Sequence, residues 1–269
     1  MTRAVVVGGG LFGSIISREL RRQGADVMTI DAGRENAGSK PAACLMKPNW
    51  FSGLGKAITE PALELLDRNY GLQDITFHAG TKLLPATVHW VPPSLVLAEE
   101  VHRDRVTSVG EDHVVTERRG RVEAELIVVA NGVWASELID VPGLKGRSGS
   151  AFLWPNARIK QPFIHPWAPY KQVVAFNRGD GLWVGDGRSI KPDNWTTEHS
   201  LESRGRCSGR VGMEPTAASE LHGIRPYVAD AKPAYLRQPS RRVWVATGGA
   251  KNGTLAAAWC AHEIARNAL

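Results

Sequence analysis

Three glycines near the start of the chain, Gly8, Gly10 and Gly13, constrain its fold more than any other feature. They follow the apolar run Ala4–Val7 and precede Ser14–Gln23, whose apolar residues share one helical face. A short apolar run that ends at a glycine is typical of a buried parallel strand. The pattern therefore predicts a strand, a tight turn and an amphipathic helix, in that order.

The GxGxxG spacing of these glycines is typical of a dinucleotide site. The first glycine permits the tight turn, the second lets the backbone approach a pyrophosphate, and the third lets the helix pack closely on the strand. The helix N-terminus then offers free N–H groups to phosphates. A second strand, Val27–Ile30, ends at Asp31, whose carboxylate can bind ribose hydroxyls. A carboxylate there favours a ribose without a 2′-phosphate, so the sequence predicts FAD or NAD rather than NADP.

Further strands of the same sheet are expected far along the chain. Ala124–Ala130 and Arg241–Ala246 are apolar runs that are soon followed by glycine, and Gly253–Leu269 has the small and apolar residues of a C-terminal helix. Strand patterns at the beginning, middle and end of the chain predict an α/β fold. The material between them is expected to form a second layer or domain inserted into the first.

The inserted material has the patterns of β-structure. Val173–Phe176 and Leu182–Gly185 are separated by a polar segment with two glycines, which predicts a hairpin. Ser200–Gly212 is polar, basic and rich in glycine, and it is predicted to be a loop. The arginines of this predicted loop are Arg204, Arg206 and Arg210.

Five segments, taken together and in this order, resemble the D-amino-acid oxidase/glycine oxidase family of FAD-dependent oxidoreductases. The segments are VVVGGGLFGSIISREL, KPAACLM, LIVVANGVWASEL, LWVGDGRSIKPDNW and HGIRPYVADAKPAYLRQPSRRVWVATGGAKNGTLAAAW. The resemblance implies FAD as the cofactor. It also implies a Rossmann-like FAD-binding domain, formed by residues 1–50, 100–146 and 240–269, with an inserted β-rich substrate domain formed by residues 51–99 and 147–239.

The resemblance implies a set of residues that hold FAD. They are the fingerprint residues and others in later segments: Gly8, Gly10, Leu11, Phe12, Gly13, Asp31, Ala42, Ala43, Val106, Asn131, Gly132, Trp134, Gly249, Lys251, Asn252, Gly253 and Thr254.

Two residues are expected to act on the substrate. By the same resemblance, Arg225 pairs with the substrate carboxylate, for which the planar guanidinium is well suited. A surface ion pair is the alternative for this arginine. Lys251 is expected near the flavin, where it binds substrate or assists the reaction with oxygen. A solvent-exposed loop lysine is the alternative for Lys251.

The sequence also departs from the family. Val173–Phe176 has no tyrosine where relatives commonly direct one at the substrate carboxylate, although Tyr170 and Tyr227 lie nearby in sequence. The stretch between Met46 and Ala130 is shorter than in relatives, and the missing part corresponds to helices that cap the substrate site. A shortened cap predicts an open site that takes a bulky substrate.

The reaction implied by the resemblance is dehydrogenation of a C–N bond, with hydride passing to the flavin and water hydrolysing the imine. One substrate class is a free amino acid or amine such as glycine, sarcosine or a D-amino acid. The other is a glycine-like group on a nucleobase of DNA or tRNA. The family includes a tRNA-modifying oxidase, and similar flavin-dependent lyases act in bacteriophage thymine hypermodification. A non-catalytic flavin-binding partner subunit is a third interpretation.

Composition bears on the choice of substrate. The chain has a net charge of +6 and nine tryptophans in 269 residues. Basic loops can contact phosphates, and tryptophan faces can stack on a flipped base. A basic enzyme with core tryptophans accounts for the same numbers. The sequence leaves both substrate classes open, and it leaves the electron acceptor and the oligomeric state open as well.

Other classes of site are disfavoured by the sequence. Cys44, Cys207 and Cys260 are odd in number and form no CxxC pair, which disfavours a disulfide framework and a zinc site. The histidines are scattered, and His89 is expected to be a packed or surface residue rather than a site residue. We expect no metal, no signal peptide and no membrane partner. The expected location is the cytoplasm, that of the host if a phage encodes the chain.

Overall fold

The computed structural model describes residues 1–168 and 171–269, so Tyr170 lies outside the described residues. The helices are α1 (Leu11–Arg22), α2 (Pro48–Phe51), α3 (Lys56–Tyr70), α4 (Pro93–Val96), α5 (Thr197–Val211) and α6 (Gly253–Ala268). The strands are β1 (Arg3–Val7), β2 (Asp26–Asp31), β3 (Leu45–Met46), β4 (Gln73–Ala79), β5 (Leu84–Trp90), β6 (His102–Arg103), β7 (Val106–Val109), β8 (His113–Thr116), β9 (Gly120–Glu123), β10 (Leu126–Val129), β11 (Leu144–Trp154), β12 (Phe163–Ala168), β13 (Lys171–Asn177), β14 (Leu182–Gly185), β15 (Ser219–Val228), β16 (Tyr235–Ser240) and β17 (Val243–Thr247).

The first sheet has the strand order β16-β17-β10-β1-β2-β6. Its pairs from β17 to β6 are parallel, and β16 runs antiparallel at one edge. All four residues of β10 are buried, as expected for a strand covered on both faces. The predicted α/β fold is confirmed, with parallel strands drawn from the beginning, middle and end of the chain.

Helices α1, α3 and α6 share one hydrophobic core against this sheet. Ile15 and Leu20 of α1 are fully buried, and they belong to the same cluster as Leu65 of α3 and Ile264 of α6. Alanines at 256–258 keep the face of α6 small, so the helices can approach closely. Helix α3 falls within residues 51–99, the first part of the predicted substrate domain. That division of the chain therefore stays a prediction, with α3 packed on the helices of the first sheet.

The second sheet has the order β15-β11-β14-β13-β12-β4-β5-β3. The predicted hairpin is present, with β13 antiparallel to β14 and Phe176 opposite Trp183. Phe77, Trp90 and Trp183 surround Phe176 with ring centroids about 6 Å apart. These tryptophans therefore belong to the core of this sheet, as does Trp154, whereas Trp244 is buried against the first sheet.

The prediction of a loop over Ser200–Gly212 is wrong, because most of this segment belongs to helix α5. Thr196 and His199 form a reciprocal capping box at the start of the helix, and Gly212 ends it in the left-handed conformation. The buried face of the helix is made of Ser200, Ser203, Cys207 and Ser208. Small polar residues on the buried face remove the hydrophobic periodicity that normally reveals a helix.

A third, three-stranded sheet is formed by β7, β8 and β9, and it places Val106 next to the first sheet. Within residues 1–168 and 171–269, no helix combines the length and the hydropathy needed to cross a membrane. In the same part of the chain, no group of His, Cys, Asp and Glu side chains is placed to hold a metal ion. All three cysteines are buried and free.

Candidate active site

A cavity of about 1030 Å³ extends from the carboxyl ends of β1 and β2 to the inner face of the second sheet. All the predicted site residues except Gly13 are part of its described lining. The structure thus brings together segments that lie far apart in the sequence. The volume of the cavity and its mixed polar and apolar walls are typical of a cofactor and substrate site.

The glycine turn is closed so tightly that side chains would not fit. A Cβ on Gly13 would lie 1.7 Å from the carbonyl oxygen of Gly8, so Gly13 sits behind the cavity wall, where α1 meets β1. Gly8 has a φ of +109°, and a Cβ there would lie 2.7 Å from the oxygen of Ala130. These two glycines allow the N-terminus of α1 to open directly into the cavity.

The N-terminus of α1 is the first polar feature of the cavity. Its N-cap, Gly10, has no side chain, so the N-cap residue itself provides no side-chain cap for the amides of the first turn. The hydroxyl oxygen of Ser39 accepts a 2.8 Å hydrogen bond from the Leu11 amide. An oxygen thus already occupies one position at which a phosphate oxygen would be held. Ser39 has no motif of its own, and sequence reasoning missed it.

Asp31 is fixed at the carboxyl end of β2. One carboxylate oxygen accepts a 2.6 Å bond from the Gly9 amide. The other accepts from the Gly33 amide at 2.6 Å and from Arg103 at 2.8 Å. Because a carboxylate has about four acceptor positions, one remains for a ligand hydroxyl. Arg103 was missed as well, since it lies 72 residues away in sequence.

The segment 41–44 crosses the middle of the cavity and is held by two tryptophans. Trp183 Nε1 donates to the carbonyl oxygen of Pro41 at 3.1 Å, and Trp90 Nε1 donates to that of Ala43 at 3.0 Å. Cys44 follows with a φ of +53°, a left-handed conformation that is uncommon for a residue with a side chain. Burial raises the pKa of the Cys44 thiol to about 11, so it is neutral at pH 7.

The loop before α6 closes the opposite wall. Tyr227 forms a β-bridge with Gly249, and a Cβ on Gly249 would lie 2.9 Å from the Phe12 ring. The Asn252 side chain donates to the carbonyl oxygen of Trp50 at 3.2 Å. Helix α6 begins immediately afterwards at Gly253. A second helix N-terminus therefore faces the cavity, and it favours negative charge on a ligand there.

Cationic side chains collect at the wall formed by the second sheet. Burial lowers the pKa of Arg225, and the negative charge of Asp186 partly opposes this effect. Burial also lowers the pKa of Lys251, and the positive charges of Arg225 and Lys171 add to the lowering. In the described part of the chain, neither Arg225 nor Lys251 has a carboxylate within ion-pair distance. The surface ion pair considered for Arg225 is therefore wrong.

The carboxylates in the described lining lie on the side of the first sheet and are already bonded. Asp31 has the partners given above, Asp104 accepts hydrogen bonds from the amides of Arg105, Arg118 and Arg119, and Glu137 pairs with Arg34. The wall of the second sheet thus has a positive potential, and the first-sheet side has bonded acids.

Among the residues that the structure describes, the substrate side of the cavity lacks the tyrosine that relatives commonly carry on the strand corresponding to β13. Gln172 and Val174 of β13 line the cavity there, together with Tyr227 of β15. His89 lies outside the described lining, in β5, where it bonds to Asp74 at 2.5 Å. This agrees with the prediction that His89 is not a site residue. Sequence reasoning missed Gln172 and Arg147, because strand pairing rather than a local motif brings them to the cavity.

Comparison with known proteins gives the family. The model of the FAD dependent oxidoreductase (DAO) family matches residues 96–267, which is more than half of the chain. The chain belongs to this family. Its cofactor is FAD, and the predicted resemblance is confirmed.

Among curated proteins, a glycine oxidase from Bacillus licheniformis is 26% identical over 196 residues. The match covers 67% of this chain and 48% of that protein, so the chain spans about half the length of the curated relative.

Solved structures of amine and amino-acid oxidases share the fold. Iminodiacetate oxidase from Chelativorans sp. has a TM-score of 0.70 and 16% identity, over 98% of this chain and 95% of that one. Glycine oxidase from Geobacillus kaustophilus has a TM-score of 0.67 and 18% identity, over 100% of this chain and 95% of that one. Glycine oxidase from Bacillus cereus has a TM-score of 0.71 and 14% identity, over 99% and 97%.

The cavity suits the cofactor of this family on structural grounds. FAD needs a close backbone approach for its pyrophosphate, a carboxylate for its ribose and an extended slot for the flavin. The glycine turn, in which a Cβ would collide with backbone, provides the first. Asp31 has an acceptor position left for the second. The continuous space between segment 41–44 and the start of α6 provides the third.

Proposed function

We propose that the chain oxidises the C–N bond of a glycine-like amine, with FAD as the hydride acceptor. The observation that carries this proposal is Arg225, a partly buried guanidinium on the cavity wall without a carboxylate partner in the described residues. A desolvated charge without a partner is unfavourable, so such a group is retained where a ligand supplies the opposite charge. A carboxylate matches the guanidinium through two parallel hydrogen bonds.

We assign the FAD contacts as follows. The N-terminus of α1, with Gly8, Gly10, Leu11 and Phe12, holds the pyrophosphate, and Gly13 allows α1 to pack closely on β1 behind it. Asp31 binds the ribose, and the backbone of Val106 meets the adenine. Asn131, Gly132 and Trp134 border the dinucleotide on the side of β10. Ala42 and Ala43 lie along one side of the flavin, and Gly249, Lys251, Asn252, Gly253 and Thr254 lie along the other. All except Gly13 belong to the cavity lining, which supports this assignment.

FAD, when bound, supplies the oxidising power by accepting a hydride from the carbon next to the nitrogen. The amine nitrogen releases a proton to water, and the resulting imine is hydrolysed to a carbonyl compound and an amine. The protein has to bind and orient the substrate. Arg225 holds the carboxylate, which fixes the neighbouring C–H bond relative to the flavin. Lys251 adds positive charge close to Arg225 and stabilises the same anion.

Anaerobic bleaching of the flavin tests the proposed function. Glycine, sarcosine and D-amino acids are added to the FAD-bound protein, and the absorbance of the flavin is followed. We expect bleaching by at least one of these amines, and loss of bleaching in Arg225→Ala with the FAD content unchanged. Arg225→Lys keeps the charge but loses the two-pronged geometry, so it should recover only part of the rate. Bleaching that Arg225→Ala leaves intact would contradict the role of Arg225.

A glycine-like amine on a nucleobase of DNA or tRNA is a second candidate substrate. The net charge of +6 and the short stretch between Met46 and Ala130 favour it. The arginines of α5 do not add to this support, because their side chains bond within the protein. Arg206 pairs with the fully buried Asp186 at 3.0 Å, Arg204 lies 3.8 Å from Glu220, and Arg210 contacts His165.

The same bleaching assay separates the candidates. An oligonucleotide with a glycyl-modified uracil or thymine is tested beside the free amines. Bleaching by the oligonucleotide alone, weakened by added salt, supports the second candidate. A yellow protein that none of these compounds bleaches supports the interpretation as a non-catalytic flavin-binding subunit and contradicts both substrate proposals.

A further inference from the structure

Two arginines face each other across strands β11 and β15. Arg147 is the direct antiparallel partner of Arg225, and both line the cavity. Side chains of directly opposed residues point to the same face of a sheet, with Cβ atoms about 5 Å apart. Like charges at such positions destabilise a sheet. The pair is therefore unfavourable for folding unless a ligand compensates it.

No carboxylate forms an ion pair with either arginine in the part of the chain that the structure describes, although the more distant charge of Asp186 acts on Arg225. Salt bridges there are recorded for the other cavity arginines: Arg34 and Arg105 with Glu137, and Arg188 with Glu202. Arg147 and Arg225 have none. Lys251 adds further positive charge, since its own charge interacts with those of Arg225 and Lys171. This wall of the cavity therefore carries more positive charge than a single carboxylate neutralises.

The cavity borders both arginines, so a ligand can reach them. Gly149 and Gly223 are paired two residues further along the same strands, on the same face as Arg147 and Arg225. The Arg225 guanidinium extends over Gly149, since its Nη2 atom lies 3.1 Å from the position of a Cβ there, whereas Pro41 covers Gly223. Arg147 is exposed where it lines the cavity. One arginine thus reaches inward and its partner stays accessible from the opening.

We propose that the substrate carries two anionic groups, with Arg225 binding the inner carboxylate and Arg147 binding the outer anion. The inference rests on the proposed function and names the substrate class. This class is a secondary amine with an acidic group on each side of the nitrogen, such as an N-(carboxymethyl) amino acid. Arg147 is then a specificity-determining residue, because it distinguishes these amines from glycine and sarcosine.

Binding of substrate analogues that cannot be oxidised tests this inference without turnover. Thiodiacetate has two carboxylates and (methylthio)acetate has one, with sulfur in place of the amine nitrogen. Their dissociation constants are measured on the FAD-bound protein, from the change in the visible spectrum and by calorimetry. We expect thiodiacetate to bind about tenfold more tightly than (methylthio)acetate, because it makes one additional charge-assisted contact.

Variants assign the preference to Arg147. Arg147→Gln should bring the two dissociation constants within about twofold of each other, and Arg147→Lys should keep part of the difference. Lys145→Gln is the matched control, since it removes one positive charge from an exposed residue of the same strand and should leave the ratio unchanged. Iminodiacetate and N-(phosphonomethyl)glycine, compared as reductants of the flavin, then distinguish a second carboxylate from a phosphonate.

The outcomes separate this inference from the proposed function. If (methylthio)acetate binds through Arg225 but thiodiacetate binds no more tightly, the second anion site is wrong and the proposed function stands. If Lys145→Gln loses the preference for thiodiacetate as Arg147→Gln does, the preference arises from overall charge, and the inference is also wrong. If neither analogue binds and no amine reduces the flavin, both proposals are wrong.

Discussion

The indole of Trp183 donates a 3.1 Å hydrogen bond to the carbonyl oxygen of Pro41, a residue 142 positions earlier in the chain. This bond joins the second sheet to the segment 41–44 that crosses the cavity. Trp183 is also buried against Phe176, so it positions the segment through a rigid aromatic core. The wall that we assign to the flavin therefore depends on a side chain in the other half of the molecule.

Replacing Trp183 by phenylalanine should weaken FAD binding. The change keeps an aromatic ring but removes the donor, which leaves the Pro41 carbonyl without this partner. The loss of one such bond is worth about 1 kcal/mol, or about a fivefold increase in the dissociation constant of FAD. This dissociation constant is measured by titrating the apoprotein with FAD and recording the flavin fluorescence. Trp154→Phe is the control, because Trp154 donates in the same way to Glu214, and it should lower stability without changing FAD affinity.

Gly13→Ala should prevent both close helix packing and FAD binding. The new Cβ would meet a backbone oxygen, so α1 must move away from β1, at a free-energy cost of about 3 kcal/mol or more. We expect a lower melting temperature and a colourless protein. Gly205→Ala in α5 is the control. No described atom lies within 4 Å of its Cβ position, so helix propensity should leave stability unchanged or raise it by up to about 1 kcal/mol.

Glu19 should make the fold sensitive to acid. Burial alone would raise the pKa of this carboxyl group, but hydrogen bonds from Arg22, Asn69 and Gln23 and the charge of Arg68 lower it to about 2. Because the pKa is lower in the folded state than in the unfolded state, the stabilisation is complete above pH 4.5. It is lost as the pH falls toward 2.

Urea unfolding as a function of pH measures this contribution. Glu19→Gln should reduce the free energy of unfolding at pH 7 by up to about 3 kcal/mol and flatten its decline between pH 4.5 and 2. Glu60→Gln removes an exposed ion pair with Lys56 and should change stability by less than about 1 kcal/mol. A steep acid decline that persists in Glu19→Gln would show that other carboxylates are responsible.

Loss of the Lys251 charge should weaken anion binding at a pH below the ordinary pKa of a lysine. Burial and the charges of Arg225 and Lys171 lower its pKa, so the positive charge is lost as the pH rises toward 10.5. The dissociation constant of (methylthio)acetate should therefore increase as the pH rises toward 10.5. Lys171→Gln removes one repulsive charge and should move the midpoint to higher pH. Lys82→Gln, in an exposed turn, should leave it in place.

Local patterns made part of this site predictable. The Gly8–Gly13 turn and Asp31 follow from the strand, turn and helix spacing, because each acts through residues close to it in sequence. The hairpin of β13 and β14 is predictable for the same reason. Helix α5 was not, because its buried face is serine and cysteine and its interior contains Gly205 and Gly209.

Residues that depend on distant partners were beyond the reach of the sequence. Ser39 is part of the site because it meets the Leu11 amide, 28 residues away. Arg147 is part of the site because its strand is in register with that of Arg225. Neither relationship leaves a spacing or a composition that can be recognised in one sequence. The charges of α5 show the same limit, since their partners Asp186 and Glu220 lie outside the helix.

The order of strands in the first sheet has a consequence for a nascent chain. β1 is synthesised well before the strands on one side of it, since its neighbour β10 ends at residue 129 and the next strand, β17, at residue 247. Until β10 is made, β1 has only β2 as a partner, and until β17 is made, β10 has only β1. Such an unpaired strand edge can pair with another chain. The glycine turn therefore exists as sequence long before it exists as a cofactor site. The state that can bind FAD forms late, because it depends on contacts between distant parts of the sequence. We therefore expect this chain to require protection from aggregation during synthesis.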